Sequence, residues 1–197
     1  MTLSDAARNL ILDSEGFSAR PDWPGGQSGV TIGFGYDLGY VTVDQFESDW
    51  GERVRSGVTG RLKAVVGLRA VRARNRVADL ADLRISRKAA AQVFDVRSVP
   101  VYELRTAQAF PGVAALPEDA RGALVSLVYN RGTSMLDDSP EDRRREIRAI
   151  RDAVARGDLA GIAAQLRSMK RLWVGKGLGG LIARREREAQ LVESALA

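Results

Sequence analysis

Apolar residues near the start of the chain recur at helical spacing. The recurring positions are Leu3, Ala6, Ala7, Leu10 and Ile11. They form one apolar stripe along a helix that can pack against a core. Thr2, three positions before Asp5, is a suitable N-cap, and Gly16 is where we expect the helix to end. Glu15 lies in its last turn.

The pattern changes between Pro21 and Tyr40. The run PDWPGGQSG is rich in turn-forming residues, and the following VTIGFGY alternates before it ends in the turn-like DLG. Alternation bounded by turns predicts a small β-hairpin.

The remainder of the chain has the pattern of successive helices. Helical spacing, caps and stop residues predict helices over 42–50, 61–66, 75–83, 86–110, 117–132, 139–156, 158–169 and 181–196. We expect an interruption before Pro100, since proline disrupts a helix interior. With no repeat or linker, the sequence predicts a single mostly helical α+β domain over 1–197, with the hairpin within about 1–50 and a helical lobe over about 51–197.

The chain contains no histidine and no cysteine. Disulfide scaffolds, cysteine nucleophiles, serine–histidine–aspartate triads and imidazole metal sites are therefore excluded. Proton transfer in an enzyme of this composition falls to Asp, Glu, Lys or Tyr.

Charge is unevenly distributed along the chain. The formal net charge is +5, but residues 1–42 carry five acids against two bases. From Arg53 to Arg76 there are eight basic residues and no acid, and Arg143–Arg151 is a second arginine-rich stretch. Such a distribution favours polyanion binding, or else it marks a solvated helix face in an arginine-rich protein.

Neither a signal peptide nor a membrane span is indicated. Asp5 and Arg8 interrupt the segment that a signal peptide would keep apolar, and the apolar run from Gly122 to Tyr129 is too short to cross a bilayer. We therefore expect synthesis in the cytoplasm without a transmembrane segment.

Glu15, Thr31 and Asp37 form the principal candidate for chemistry. Glu15 ends the predicted helix, Thr31 lies on the predicted strand, and Asp37 lies at its turn. Two carboxylates can divide the work of glycoside hydrolysis, and a hydroxyl between them can bind the attacking water. Acids near turns are more often ordinary surface residues, which is the competing interpretation.

Three segments of the chain resemble a known superfamily. EGFS (15–18) with PDWPGGQSGVTIGFGYDLG (21–39) resembles the active-site segment of the pesticin-like muramidases, relatives of the phage-type lysozymes of glycoside hydrolase family 24. ALVSLVYNRGTSM (Ala123–Met135) and GLGGLIARREREAQL (Gly177–Leu191) resemble the superfamily's Asn-x-Gly cleft motif and its C-terminal helix. About 51–117 carries no recognised motif. The resemblance implies a lysozyme-like fold with a small N-terminal hairpin lobe and a larger helical lobe.

The resemblance also implies roles for individual residues. Glu15 would be the general acid, and Asp37 and Thr31 would hold and activate water. In the simple phage-type pattern the second acid precedes the threonine, whereas Asp37 follows it, as in the pesticin-like group. Asp22 lies between Glu15 and Thr31, which makes it the alternative second carboxylate, or else a turn residue beside Trp23.

The substrate-binding candidates in the hairpin region are Trp23, Gly35 and Tyr36. Aromatic rings stack on sugars, and glycine allows the close approach of a sugar chain along a strand edge. Hairpin packing and turn geometry are the competing interpretations.

Further candidates come from the other two segments. The resemblance favours Asn130 as a cleft residue, against a helix-capping role. In the phage-type fold an arginine of the last helix approaches the catalytic glutamate, so Arg184 and Arg185 are possible partners of Glu15. Such arginines are otherwise surface residues.

The implied activity is that of an N-acetylmuramidase, which cleaves the β-1,4 bond between N-acetylmuramic acid and N-acetylglucosamine in peptidoglycan. No metal or organic cofactor is required, and a monomer is expected. Its partners would be peptidoglycan glycan strands, with an immunity protein or a delivery machine if it is a secreted effector rather than a phage endolysin. It would act on the cell wall, in the periplasm or outside the cell, after holin release or specialised secretion. The alternatives are a chitinase-like hydrolase and a basic binding protein for cell wall or nucleic acid with a degenerate cleft, although no specific nucleic-acid motif is present.

Overall fold

The computed structural model describes residues 3–196, so the predicted cap Thr2 lies outside the described residues. Most of these residues are helical, and a small antiparallel sheet of three strands lies near the N-terminus. The predicted mostly helical α+β class is confirmed. The chain divides into two compact units, a helical unit of Met1–Ser14 and Pro100–Ala197 and a sheet unit of Glu15–Val99. The assignment of 1–197 to a single domain stays a prediction.

The sheet unit contains β1 (Ser18–Asp22), β2 (Thr31–Gly33) and β3 (Tyr36–Asp37), in that order across the sheet. The turn from β2 to β3 consists of Phe34 and Gly35, and Gly35 has a φ of 78°, which glycine adopts without strain. The predicted hairpin is therefore present, and β1 extends it to three strands.

Short helices complete the sheet unit. They are α2 (Val43–Trp50), α3 (Ser56–Lys63), α4 (Ala70–Arg74) and α5 (Arg87–Val93). The hydroxyl of Thr42 accepts a hydrogen bond from the amide of Gln45, so α2 has the predicted cap. Phe46, Trp50 and Ile32 are fully buried and form part of this unit's core.

The helical unit holds most of α1 (Asp5–Glu15) and five longer helices. These are α6 (Val99–Ala109), α7 (Glu118–Arg131), α8 (Arg145–Ala155), α9 (Leu159–Ser168) and α10 (Gly179–Glu193). Ser4 accepts a hydrogen bond from the Ala7 amide at the start of α1. A Cβ on Gly122 would lie 2.2 Å from that of Ala7, so glycine is needed where α7 meets α1.

Two predicted helix boundaries in the sheet unit are wrong. The helix expected over 61–66 is α3, which starts at Ser56, and the helix expected over 75–83 is replaced by α4 and a 3₁₀ turn at Ala78–Leu80. Both α3 and α4 begin without a side-chain cap. Local sequence signals therefore do not mark their first residues.

Two further predictions need correction. The helix expected from 139 begins at Arg145, because Asp142 adopts a φ of 40° in the preceding turn. The segment over 86–110 is divided as expected, but a π-helix over Phe94–Ser98 joins its two parts. Pro100 is the second residue of α6 and follows the π-helix directly, so it lies within a continuous helical segment, where proline removes one backbone hydrogen bond.

Candidate active site

Thr31 lies between two carboxylate residues in the sheet. On β2 it pairs with Asp37 of β3 and with Asp22 of β1. Residues directly opposite each other in an antiparallel pair project from the same face. The sheet therefore places Asp22, Thr31 and Asp37 in one row across its three strands.

The Thr31 hydroxyl is the unusual group of this row. Its Oγ1 is buried and has no hydrogen-bond partner among residues 3–196. A buried hydroxyl without a partner costs about 1–3 kcal/mol, and most such groups in folded proteins are satisfied. The cost is offset if the hydroxyl binds a water molecule or a substrate group during function.

Backbone amides fix the Asp37 carboxylate in place. Its Oδ1 accepts hydrogen bonds from Gly29 at 2.9 Å and from Gly39 at 2.8 Å. Its Oδ2 is 3.2 Å from the Gly29 amide nitrogen. Asp37 thereby caps the 3₁₀ turn at Leu38–Tyr40 and joins it to the Gly29 loop, and Oδ2 is the less engaged oxygen.

Gly29 makes this arrangement possible. A Cβ at this position would lie 2.4 Å from Asp37 Oδ1 and 2.2 Å from the amide nitrogen of Gly39. Any side chain would therefore displace the carboxylate or the turn that it caps.

Asp22 differs from Asp37 in its surroundings. Its side chain is exposed at the end of β1. Within the described part of the chain, its carboxylate has no hydrogen-bond or ion-pair partner. Asp22 is thus a solvent-exposed acid without a partner, whereas hydrogen bonds orient Asp37.

Glu15 is the last residue of α1 and the first residue of the sheet unit. It is exposed, and Gly16, with a φ of 75°, turns the chain toward β1. The short connection to Ser18 ties Glu15 to the same sheet that carries Thr31 and Asp37.

Tyr36 and Trp23 each have a polar group engaged within the sheet unit. The Tyr36 hydroxyl donates to Asp49 Oδ2 at 2.7 Å, and burial together with this hydrogen bond raises the pKa of Tyr36. Trp23 Nε1 donates to the Ser28 carbonyl at 3.0 Å. Both side chains are half-buried, so part of each ring remains accessible beside the row.

Asp49 is not among the candidate residues that the sequence predicts. It is almost fully buried on α2 and also accepts a hydrogen bond from Gln45 Nε2 at 2.9 Å. A signal was present, because Asp49 shares the apolar face of α2 with Phe46 and Trp50. An acid at such a position requires buried donors.

Asn130, Arg184 and Arg185 lie in the helical unit. Asn130 lies in the last turn of α7, with its Oδ1 buried and without a partner among the described residues. The expectation that the arginines are otherwise surface residues is wrong, since Arg184 is 2% exposed and Arg185 is fully buried. Their role as partners of Glu15 stays a prediction.

Arg184 and Arg185 share a buried carboxylate on their own helix. Glu188 Oε1 accepts hydrogen bonds from Arg185 at 2.7 Å and from the Ser126 hydroxyl at 2.6 Å, and it lies 3.3 Å from Arg184 Nε. Burial raises the pKa of Glu188, while the two guanidinium groups oppose the shift. Glu188 and Ser126 are not among the residues predicted from the sequence, although the Arg184–Glu188 spacing of four residues is typical of helix ion pairs.

The solved structures that resemble this one include two phage endolysins. The active form of the P1 phage endolysin Lyz matches with a TM-score of 0.58 and 19% identity, covering 99% of this chain and 86% of that chain. An endolysin from the Escherichia coli O157:H7 phage FAHEc1 matches with a TM-score of 0.53 and 20% identity, covering 98% and 93%. The chain has the fold of these phage endolysins.

Comparisons of the sequence indicate less about function than the comparison of structures does. Residues 10–106, which include the row and Glu15, match a family described as a domain of unknown function (DUF8812). No curated protein matches the chain in sequence. Among residues 3–196, no helix is long and apolar enough to cross a membrane, and no group of three acidic side chains is suited to hold a metal ion.

Proposed function

We propose that this protein is a peptidoglycan-degrading lysozyme, an N-acetylmuramidase of pesticin-like type. The observation that carries the proposal is the buried Thr31 hydroxyl without a partner, flanked in register by two carboxylate residues. The endolysin fold supports it, because the two similar proteins are themselves endolysins.

Glu15 is the general acid in the proposed reaction. It gives its proton to the glycosidic oxygen as the bond to the anomeric carbon of N-acetylmuramic acid breaks. The released N-acetylglucosamine thereby leaves as a neutral alcohol. An exposed glutamate at the end of a helix can reach a polymer in solution, and bound glycan would cover it.

Asp37 and Thr31 orient the attacking water. Thr31 donates its hydroxyl hydrogen to the water or accepts from it, and Asp37 Oδ2 takes the proton as the oxygen bonds to the anomeric carbon. The two amides on Oδ1 hold the carboxylate in one orientation, which keeps Oδ2 aimed without a loss of side-chain entropy during the reaction. The sugar chain would contact the predicted binding residues, which are Gly35, Tyr36, Trp23 and Asn130.

The stereochemical outcome depends on the distance between the two carboxyl groups. A separation of about 6.5–9.5 Å leaves room for water and gives inversion, and about 5–5.5 Å gives a covalent intermediate and retention. Anomer analysis of a fresh digest by NMR distinguishes the two.

The test is the clearing of purified peptidoglycan by the variants Glu15→Gln, Asp37→Asn and Asp22→Asn. We expect Glu15→Gln and Asp37→Asn each to lower the rate by about 100-fold or more, since each removes a proton-transfer group. Asp22→Asn is the matched control from the same row. Full activity of Glu15→Gln would refute the mechanism, and loss in Asp22→Asn but not in Asp37→Asn would reassign the base.

The products define the bond that is cleaved. Muramidase action releases reducing-end N-acetylmuramic acid, which mass spectrometry of borohydride-reduced digests detects. Chitin oligomers cleaved faster than muropeptides would instead favour the chitinase-like alternative.

We further propose cytoplasmic synthesis and action on the cell wall. A holin would release a phage endolysin, and a secretion machine with a cognate immunity protein would accompany an effector. A holin gene or an immunity gene beside the coding sequence would distinguish these routes.

A further inference from the structure

The basic run that starts at Arg53 contributes to a pocket in the sheet unit. The pocket has a volume of about 470 Å³ and lies where the segment after α2 meets the loop before α5. Three arginines line it, namely Arg53, Arg55 and Arg84. None of them belongs to the row of Asp22, Thr31 and Asp37, so the pocket is a separate feature of this unit.

The lining of the pocket is strongly positive. Its one acid, Asp82, forms a two-pronged ion pair with Arg61, with distances of 2.6 and 2.7 Å. The hydrogen bond from Arg61 lowers the pKa of Asp82 to about 2, so Asp82 stays ionised and is neutralised by its partner. Three guanidinium charges therefore face the pocket without compensation from its lining.

Two of the three guanidinium groups are held in place by backbone carbonyls. Arg53 donates through one terminal nitrogen to the Asp49 carbonyl at 3.0 Å, and Arg84 does so to the Leu83 carbonyl at 2.7 Å. The same nitrogens also lie 3.4 Å from the Ser48 carbonyl oxygen and 2.9 Å from the Ala81 carbonyl oxygen, respectively. Within the described residues, Nε and the second terminal nitrogen of each arginine have no partner. Both arginine side chains are therefore fixed in position and keep N–H groups that can bind an acceptor.

Arg55 is the third guanidinium and has no side-chain partner among residues 3–196. It stands immediately before α3 and is exposed. Its guanidinium group is therefore available to donate to a ligand that the other two arginines bind.

The remaining lining gives the pocket a mixed character. Leu83 is largely buried and Val58 is half-buried, and both supply apolar wall. The Ser86 hydroxyl accepts from the Ala89 amide, and its own hydrogen is available to a ligand oxygen. A ligand with an anionic head and a small carbon body fits these walls.

We propose that this pocket binds a phosphate group carried on a small organic body. Phosphate has more acceptor oxygens and more negative charge than a carboxylate. The paired N–H groups of a guanidinium match the spacing of two phosphate oxygens. The site goes beyond glycan cleavage, because it would fix the protein to a phosphate-bearing component of its surroundings. This proposal does not depend on the proposed muramidase activity.

Calorimetric titration of the full chain tests the proposal, with inorganic phosphate, glycerol 3-phosphate and acetate as probes. We expect phosphate and glycerol 3-phosphate to bind and acetate to bind at least about tenfold more weakly. No heat with either phosphate compound, or equal binding of acetate, would overturn the assignment. A polyglycerol-phosphate polymer as a fourth probe distinguishes a polymer-borne phosphodiester from a free monoester.

Arg55→Gln is the decisive variant, because the exposed Arg55 side chain makes no hydrogen bond or ion pair within residues 3–196. We expect it to weaken phosphate binding about tenfold, with Arg55→Lys intermediate. Arg72→Gln is the matched control, an exposed arginine on α4 within the same basic run and outside the pocket lining. Equal weakening in Arg55→Gln and Arg72→Gln would show that net charge alone attracts the anion, and the pocket would carry no site.

The same variants separate this proposal from the muramidase proposal. Arg55→Gln should clear phosphate-free peptidoglycan at the wild-type rate. Phosphate binding in Glu15→Gln should equal that of the wild type. A protein that binds phosphate through Arg55 but clears no peptidoglycan would support the pocket and refute the enzyme.

Discussion

Thr31 on β2 lies directly opposite Asp37 on β3, and the hydroxyl of the one is buried without a partner while the carboxylate of the other is held by two backbone amides. An oriented acceptor beside an unsatisfied hydroxyl is an arrangement that binds water well. Folding does not require the Thr31 hydroxyl, since a valine in place of Thr31 would leave no polar group unsatisfied.

Thr31→Val separates function from stability. Valine matches threonine in shape and removes the hydroxyl, so we expect the free energy of unfolding to be unchanged or to rise by up to about 1 kcal/mol. Peptidoglycan clearing should fall about 100-fold, because water loses a positioning contact. A loss of both stability and activity would show that the hydroxyl is structural. Urea unfolding and turbidity measurements on the same sample decide between these results.

Gly29→Ala tests the close approach at the Asp37 carboxylate. The added methyl would overlap Asp37 Oδ1 and the Gly39 amide, so we expect a loss of about 1–3 kcal/mol in the free energy of unfolding, together with reduced activity. Gly60→Ala is the control, since nothing lies within 4 Å of a Cβ there and α3 should gain about 0.5–1 kcal/mol. Equal effects in the two variants would contradict the crowded geometry at Gly29.

Glu188→Gln tests the buried carboxylate that Arg184 and Arg185 both contact. Removing one partner of a buried ion pair typically costs about 3–5 kcal/mol, and we expect a destabilisation of that order by chemical denaturation. The comparison is Glu193→Gln, whose ion pair with Arg167 is partly exposed and which should change stability far less. A small effect in Glu188→Gln would mean that the cluster does not hold α10 to α7.

Tyr36→Phe tests the hydrogen bond to Asp49 and has a defined pH dependence. Burial and this hydrogen bond raise the pKa of Tyr36 in the folded state above its unfolded value near 10. The protonated hydroxyl therefore contributes its full stabilisation below pH 10, and the contribution is lost as the pH rises further. We expect Tyr36→Phe to be less stable than the wild type at pH 8 and the difference to shrink toward pH 11. A difference that grows with pH would refute the shift.

Ionic strength should control lysis of whole walls. A protein of net charge +5 is attracted to an anionic wall, and salt screens this attraction over about 10 Å at 0.1 M. The clearing rate of intact walls should fall as sodium chloride increases, while cleavage of short neutral glycan fragments should not. A salt-independent rate on walls would remove the role of the basic residues in adsorption.

Local signals in the sequence are sufficient for the elements around the candidate site. The apolar stripe of α1, the glycine-rich turns of the hairpin and the Thr42 cap each act over a few neighbouring residues, and each element is found where it is predicted. The composition without histidine and cysteine also limits the proton-transfer groups to Asp, Glu, Lys and Tyr. The three segments that resemble the lysozyme superfamily predict the fold that the endolysin structures share.

Properties that depend on contacts between residues far apart in sequence cannot be predicted from a local sequence pattern. The register of three strands sets Asp22 and Asp37 on either side of Thr31, and it distinguishes the solvated acid from the one that backbone amides hold. Burial of Arg184 and Arg185 depends on a glutamate of the same helix and a serine of α7, 58 residues from Arg184 in sequence. Register and burial arise from pairing and packing across the folded chain, so spacing along the sequence indicates which residues are candidates but not what surrounds them.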